Sequence, residues 1–200
     1  MSKVDYHEVK AMLTTIIYAH PYEESYSRAI LDTAQASLKE QDREYALIDL
    51  YRDNFDPVLT RAELGIYGKG EHLDPLVGKY NEILDKTERV VLIFPIWWYD
   101  FPAILKGFFD KVMLPGSAYS SDETGLHSVR RIPRTLVIST ASASTEALVK
   151  NLGDTVNRMM IETIFKAIGF HGAVWENFGS IGKSTAEERR RFLSKIAALL

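Results

Sequence analysis

The chain has 200 residues, 46% of them hydrophobic, with a net charge of −3 and no cysteine. That size and apolar content suit one domain with a full core, the charge leaves no broad basic footprint for nucleic acid, and the missing cysteines exclude disulfides, Cys-ligated zinc and thiol chemistry. Residues 1–12 carry Lys3, Asp5, His7, Glu8 and Lys10 instead of the apolar stretch of a secretion signal, and no window reaches the ~20 apolar residues of a membrane span, so a cytoplasmic protein that is not membrane-embedded is expected.

The first apolar run, 13–18, reads as a strand. It stops at Ala19-His20-Pro21, and between Ser25 and Leu38 the residues Ala29, Ile30, Ala34 and Leu38 fall at helical spacing. Residues 45–50 read as a second strand and 51–72 as irregular. At 73–75, Asp74 caps a helix with Pro75 at its first position, and this helix runs to about Lys86. A buried third strand follows at 89–96, and Pro102 opens the next helix. Residues 134–140 form a fourth strand, 145–168 are mostly helical, and a fifth strand lies near 172–178. Ser184-Thr185-Ala186-Glu187 reads as a capping box for the last helix, whose basic run 189–191 is a solvated face. No repeat or low-complexity linker divides the chain, so one domain over 1–200 is expected.

Strand and helix alternate, and the runs 13–18 and 90–94 are nearly continuous in apolar residues. This pattern predicts an α/β fold with a five-stranded parallel sheet and helices on both faces. Such sheets bind ligands beyond the carboxyl ends of their strands, where strand order reverses. The loops after strands one, three and four therefore carry the candidate site.

In the first loop, a helix start near Ser25 offers free backbone N–H groups, Ser25 and Ser27 offer hydroxyls, and His20 offers an N–H or a charge. The set suits a phosphate. It equally suits a plain N-cap at Ser25, with Glu23 and Glu24 as ordinary acids of a helix start. There is no Walker lysine and no G-x-G-x-x-G. The second loop places Trp97, Trp98 and Tyr99 at a strand end between Pro95 and Pro102; they form either the wall of a flat ligand site or a core or subunit contact. Lys106 and Lys111 on the next helix read as solvated. The third loop, 139–147, is small and polar, and either admits a ligand close to its backbone or only turns the chain. Jointly the loops fit a flat aromatic cofactor with a phosphate tail. The histidines other than His20 (His7, His72, His127 and His171) show no metal-ligand spacing, and no metal is expected.

The stretch FPIWWYDFPAILKGFFDKVMLPGSAY resembles the signature of the flavodoxin-like NAD(P)H:quinone oxidoreductases, which include bacterial modulators of drug activity and ancillary reductases of potassium efflux systems. IIYAHPYEESYSRA is similar to that family's first loop and HLDPLVGKYNEIL to its helix before the third strand, so the likeness covers roughly 13–180. It implies a flavodoxin-like fold and a flavin, FMN with FAD as the alternative, that takes a hydride at N5 from NAD(P)H and passes two electrons to a quinone in ping-pong fashion. The flavin carries the chemistry and no catalytic side chain is assigned. By position, His20, Ser25, Tyr26 and Ser27 hold the phosphate region. Pro95, Ile96, Trp97, Trp98 and Tyr99 flank the ring, and Ser139, Thr140, Ala141 and Ser142 lie along its pyrimidine edge. Trp98, Phe101 and Tyr119 line the substrate pocket, which a partner subunit of a homodimer completes.

The sequence departs from the family in its third loop, where STAS stands in place of Thr-Thr-Gly-Gly, and the tyrosine that follows in the family is not evident. A histidine proposed for proton transfer in the animal enzymes has no match in 147–162. The rival readings are a non-catalytic electron carrier and a regulatory subunit of a membrane transporter.

Overall fold

The computed structural model describes residues 12–200. The readings made on the segment before Met12, His7 among them, lie outside the described residues. In chain order the elements are β1 (Leu13–Tyr18), α1 (Tyr26–Glu40), β2 (Tyr45–Asp49), α2 (Arg61–Tyr67), α3 (Pro75–Leu84), β3 (Thr87–Pro95), α4 (Ala103–Val112), β4 (Tyr119–Asp122), β5 (Gly125–Ser128), β6 (Arg134–Thr140), α5 (Thr145–Lys150), a π-helix (Val156–Phe165), α6 (Lys166–Ile168), β7 (Ala173–Phe178) and α7 (Ala186–Leu199).

Five strands form one parallel sheet in the order β2-β1-β3-β6-β7. The order reverses between β1 and β3, which puts the switch point at the carboxyl ends of those two strands. The central strands are buried on both faces because their side chains alternate between two cores. Ile17, Leu92 and Val137 enter a core shared with α3, α4 and the π-helix, with twenty-seven buried residues among those described. Ile16, Ile93 and Ile138 enter a core of twelve, covered by α1 and α7.

The structure differs from the sequence expectation in four places. Residues 61–67, expected to be irregular, form α2, capped by a reciprocal box between Thr60 and Glu63. The exposed antiparallel pair β4–β5 was not anticipated. The helical stretch 145–168 is broken: Gly153 and Asp154 take positive φ, 88° and 51°, and the chain resumes as the wider π-helix, a form seldom sustained over ten residues. The capping box of α7 is Thr185 with Glu188, one residue later than expected.

Lys111 is not solvated. Its ammonium is buried 3.1 Å from Glu63 and 3.3 Å from Asp74, donates to the Asp56 carbonyl at 3.0 Å, and lies 5.4 Å above the Phe55 ring. This cluster fastens the 55–74 segment to α4. Asp74 caps α3 as expected, its carboxylate accepting from the Leu76 N–H at 2.9 Å. Among the described residues no helix is long and apolar enough to cross a membrane.

Candidate flavin site

The site begins where β1 hands over to α1. Ser25 is the N-cap, its hydroxyl oxygen accepting from the Arg28 N–H at 3.0 Å. No described residue accepts from the N–H of Tyr26 or Ser27, so two of the donors that every helix start leaves open remain available, at the positive end of the helix dipole. The hydroxyls of Ser27 and Thr140 lie 3.2 Å apart and are buried. One proton serves that contact and the other is free to donate.

His20 completes the cradle. Its Nδ1 accepts from the Tyr22 N–H at 3.1 Å, so the proton of the neutral ring sits on Nε2. Burial holds the imidazole below its ordinary pKa, so what the ring offers the cavity is a neutral N–H and not a positive charge. Its ring meets Trp97 edge-on at 5.9 Å. Neither glutamate crowds this place. Glu23 pairs with Arg28, and Glu24 accepts from the Tyr22 hydroxyl at 2.6 Å. The side chain of Tyr26 also points elsewhere: its hydroxyl donates to the Arg189 carbonyl at 2.7 Å and its ring packs on Phe178. What Tyr26 offers the cavity is its backbone amide.

These groups line a cavity of about 180 Å³ that brings together His20, Ser25, Tyr26, Ser27, Pro95, Ile96, Trp97, Thr140, Ala141 and Ser142. Among the described residues no lysine or arginine lines it, so the donors it offers an anion are amides, hydroxyls and the imidazole N–H. Through Ile96, Trp97, Ala141 and Ser142 it continues into a trough of about 420 Å³, bounded also by Trp98 and Tyr99, a size usual for small-molecule clefts.

The aromatic wall is a tight turn. Trp97 and Asp100 exchange both backbone hydrogen bonds, at 2.9 and 3.1 Å, and the two central residues, Trp98 and Tyr99, have φ of 51° and 66°. Positive φ at both positions marks a type I′ turn, normally built from Asn-Gly. Two aromatics in this conformation cost roughly 1–2 kcal/mol each. The strain leaves Trp98 93% exposed and the Trp98 and Tyr99 amides without described acceptors. Strain and exposed apolar surface at a cavity mouth mark a place kept for binding.

Three expected residues lie apart. Ser139 is buried and fully engaged, donating to Asn177 and accepting from the Trp175 indole N–H, both at 2.8 Å. Phe101 is buried in the larger core. Tyr119 lines a separate apolar cavity of about 480 Å³ with Tyr67, Leu126, Met159 and Ile164. Ile181, Ala143 and Leu148 bound the site and were not anticipated. Ala143 and Leu148 sit in and just after the third loop, where an extended reading would have reached them; Ile181, after β7, carries no local signal. His127 contacts Asp122 and Thr124 at the β4–β5 turn and lines neither the cradle nor the trough.

An open parallel sheet with a phosphate-sized cradle at its switch point and an aromatic-walled trough beside it defines a flavodoxin-like α/β protein. Residues 12–199 match the family described as having the flavodoxin-like fold. An NAD(P)H oxidoreductase of Haemophilus influenzae, named as uncharacterized, is 30% identical over 172 residues, 83% of either chain. The FMN-dependent NADH:quinone oxidoreductase 2 of Bacillus licheniformis is 32% identical over 129 residues, 56% of this chain and 61% of that one. The solved NAD(P)H:quinone oxidoreductase of Methanothermobacter marburgensis superposes with a TM-score of 0.80 at 27% identity, covering 94% of this chain and 96% of its own. The chain belongs to the flavodoxin-like NAD(P)H:quinone oxidoreductase family.

Proposed function

We propose that this protein uses FMN to carry two electrons from NAD(P)H to a quinone or similar acceptor. The observation that carries the reading is the continuity of the site: two open amides at the start of α1 lead, past Trp97, to an exposed aromatic wall. The residues fit the cofactor. The Tyr26 and Ser27 amides, the Ser27 and Thr140 hydroxyls and His20 Nε2–H would hold the phosphate. The 97–99 turn would flank the ring, and the Ser142 and Ala143 amides, which also lack described acceptors, would face its polar edge. When bound, FMN supplies a reversible hydride acceptor. FMN is preferred to FAD because an FMN-dependent relative matches this chain.

The chain's own part is to bind, orient and exclude. Trp98 and Tyr99 would offer a platform on which a nicotinamide or quinone ring stacks. One open face admits one ring at a time, so donor and acceptor would alternate. The apolar cavity at Tyr119, with Leu126 and Met159 exposed on its rim, supports a homodimer in which this surface is covered and the partner copy adds to the substrate pocket. The test is NADH and NADPH oxidation with menadione by FMN-loaded protein. Parallel double-reciprocal lines and turnover above free FMN are expected; turnover no greater than free FMN would refute the reading and favour a non-catalytic carrier. Heat release and chromatography of the bound flavin identifies the cofactor.

A further inference from the structure

The third loop lacks the flexibility that glycine would give it, yet its backbone runs along the trough. What holds it is a second strip of chain. The Ala141 N–H donates to the Phe178 carbonyl at 3.0 Å, the Ile181 N–H to the Ala141 carbonyl at 3.1 Å, and the Ser180 N–H to the Ala143 carbonyl at 3.0 Å. Gly179 permits this lacing: a Cβ there would stand 2.7 Å from the Thr145 nitrogen and 2.9 Å from the Ala143 oxygen. Ser180 follows with φ of 55°.

One side chain ties the two ends of the loop. Asn177 and Ser139 are register partners on β7 and β6. The Asn177 carbonyl oxygen accepts from the Ser139 hydroxyl at 2.8 Å, and its amide nitrogen donates to the Thr145 hydroxyl, also at 2.8 Å. The Trp175 indole N–H donates to Ser139 Oγ and completes a three-bond chain. Ser139 is the residue that enters the loop and Thr145 the one that leaves it. None of Trp175, Asn177 or Thr145 lines the trough.

We propose that Asn177 and Gly179 are positioning residues that fix the Ala141–Ala143 backbone for the cofactor, in place of a glycine-built loop. A loop with free glycines could adapt to the ring after binding, whereas a laced loop presents the Ser142 and Ala143 amides already in place. This lowers the ordering cost of binding. The inference rests on the flavin reading above.

The experiment titrates FMN into Asn177→Ala, Thr145→Val, the double variant and Gly179→Ala, following flavin fluorescence and the visible absorption of the bound cofactor, with apo melting temperature in parallel. Thr145→Val, which removes one hydrogen bond, should weaken FMN about fivefold with little change in melting temperature; Asn177→Ala, which removes two and strips the buried Ser139 hydroxyl of its acceptor, should weaken FMN at least as much and lower the melting temperature by a few degrees at most, and both should shift the bound absorption bands. The double variant should lose little more than Asn177→Ala alone, because the Thr145 hydrogen bond is one of the two that Asn177→Ala already breaks. Thr145→Ser should bind as the parent does. Gly179→Ala should weaken FMN by roughly tenfold or more, since backbone must move. If the parent binds FMN and Asn177→Ala binds it equally, with unchanged bands, the positioning role is wrong and the flavin reading stands. If the parent itself binds no FMN, the flavin reading fails, and this inference with it.

Discussion

At the residue scale, His20 illustrates what a sequence can and cannot say. Its place after β1, before a proline and a helix start, was legible. Its charge state was not, because that depends on burial and on the Tyr22 N–H reaching back to Nδ1. As a neutral donor, His20 should be replaceable in part by Gln, which retains an N–H, and not by Ala. We expect FMN affinity to fall about fivefold in His20→Ala and less in His20→Gln, with apo folding intact in both; equal retention by His20→Ala and the parent would remove His20 from the phosphate site. The pH dependence has a definite sign. Folding lowers the imidazole pKa, so the unfolded chain takes up a proton first as pH falls. The stability tied to the neutral ring is full above an ordinary value of about 6.5 and is lost as pH drops through the lowered folded value. The melting temperature of the apo parent should therefore fall more steeply below about pH 6.5 than that of His20→Gln. Ser139 is the converse case. Its position at the loop entrance suggested a ligand contact, but strand pairing turned its hydroxyl toward Asn177.

At the element scale, the strands of the parallel sheet, α1, α3 and α4 were readable from periodicity and caps, because burial on two faces and an Asp-Pro start leave strong local marks. The 97–100 turn left no such mark. Nothing in Trp-Trp-Tyr-Asp announces positive φ, and only closure by the Trp97–Asp100 pair imposes it. Replacing Trp98-Tyr99 with Asn-Gly should relieve the strain and raise the apo unfolding free energy by about 1–2 kcal/mol while weakening the site. Chemical denaturation beside FMN titration reads both, and a variant that gains no stability would disprove the strain. The Lys111 cluster was likewise hidden, since its partners come from α2 and the start of α3, thirty-seven or more positions away. Lys111→Met should cost about 3 kcal/mol or more by leaving two carboxylates facing a buried site unpaired. Loss of well under 1 kcal/mol in urea would show that the 55–74 segment is held by packing alone.

At the scale of the whole molecule, the parallel sheet and its switch point were legible from strand–helix alternation, because connection rules leave few other ways to bury such strands. The outer surface was not legible, since exposure of Leu126 and Met159 depends on where the β4–β5 pair and the π-helix meet. If that surface joins two copies, Met159→Lys with Leu126→Lys should convert a dimer to a monomer in sedimentation analysis, and a parent that sediments as a monomer would end the dimer reading. The two cores carry a further consequence. Among the described residues, the layer formed by α1 and α7 rests on twelve buried residues against twenty-seven on the opposite side. Its helices are sewn together by polar contacts: Tyr26 to the Arg189 carbonyl, and Ser37 to the Ala197 carbonyl. This thinner layer should open first in native-state amide hydrogen exchange. Because α1 also begins at the phosphate cradle, a bound anion would slow deuterium uptake along α1 and α7 well beyond the atoms it touches, while α3 and α4 exchange at unchanged rates.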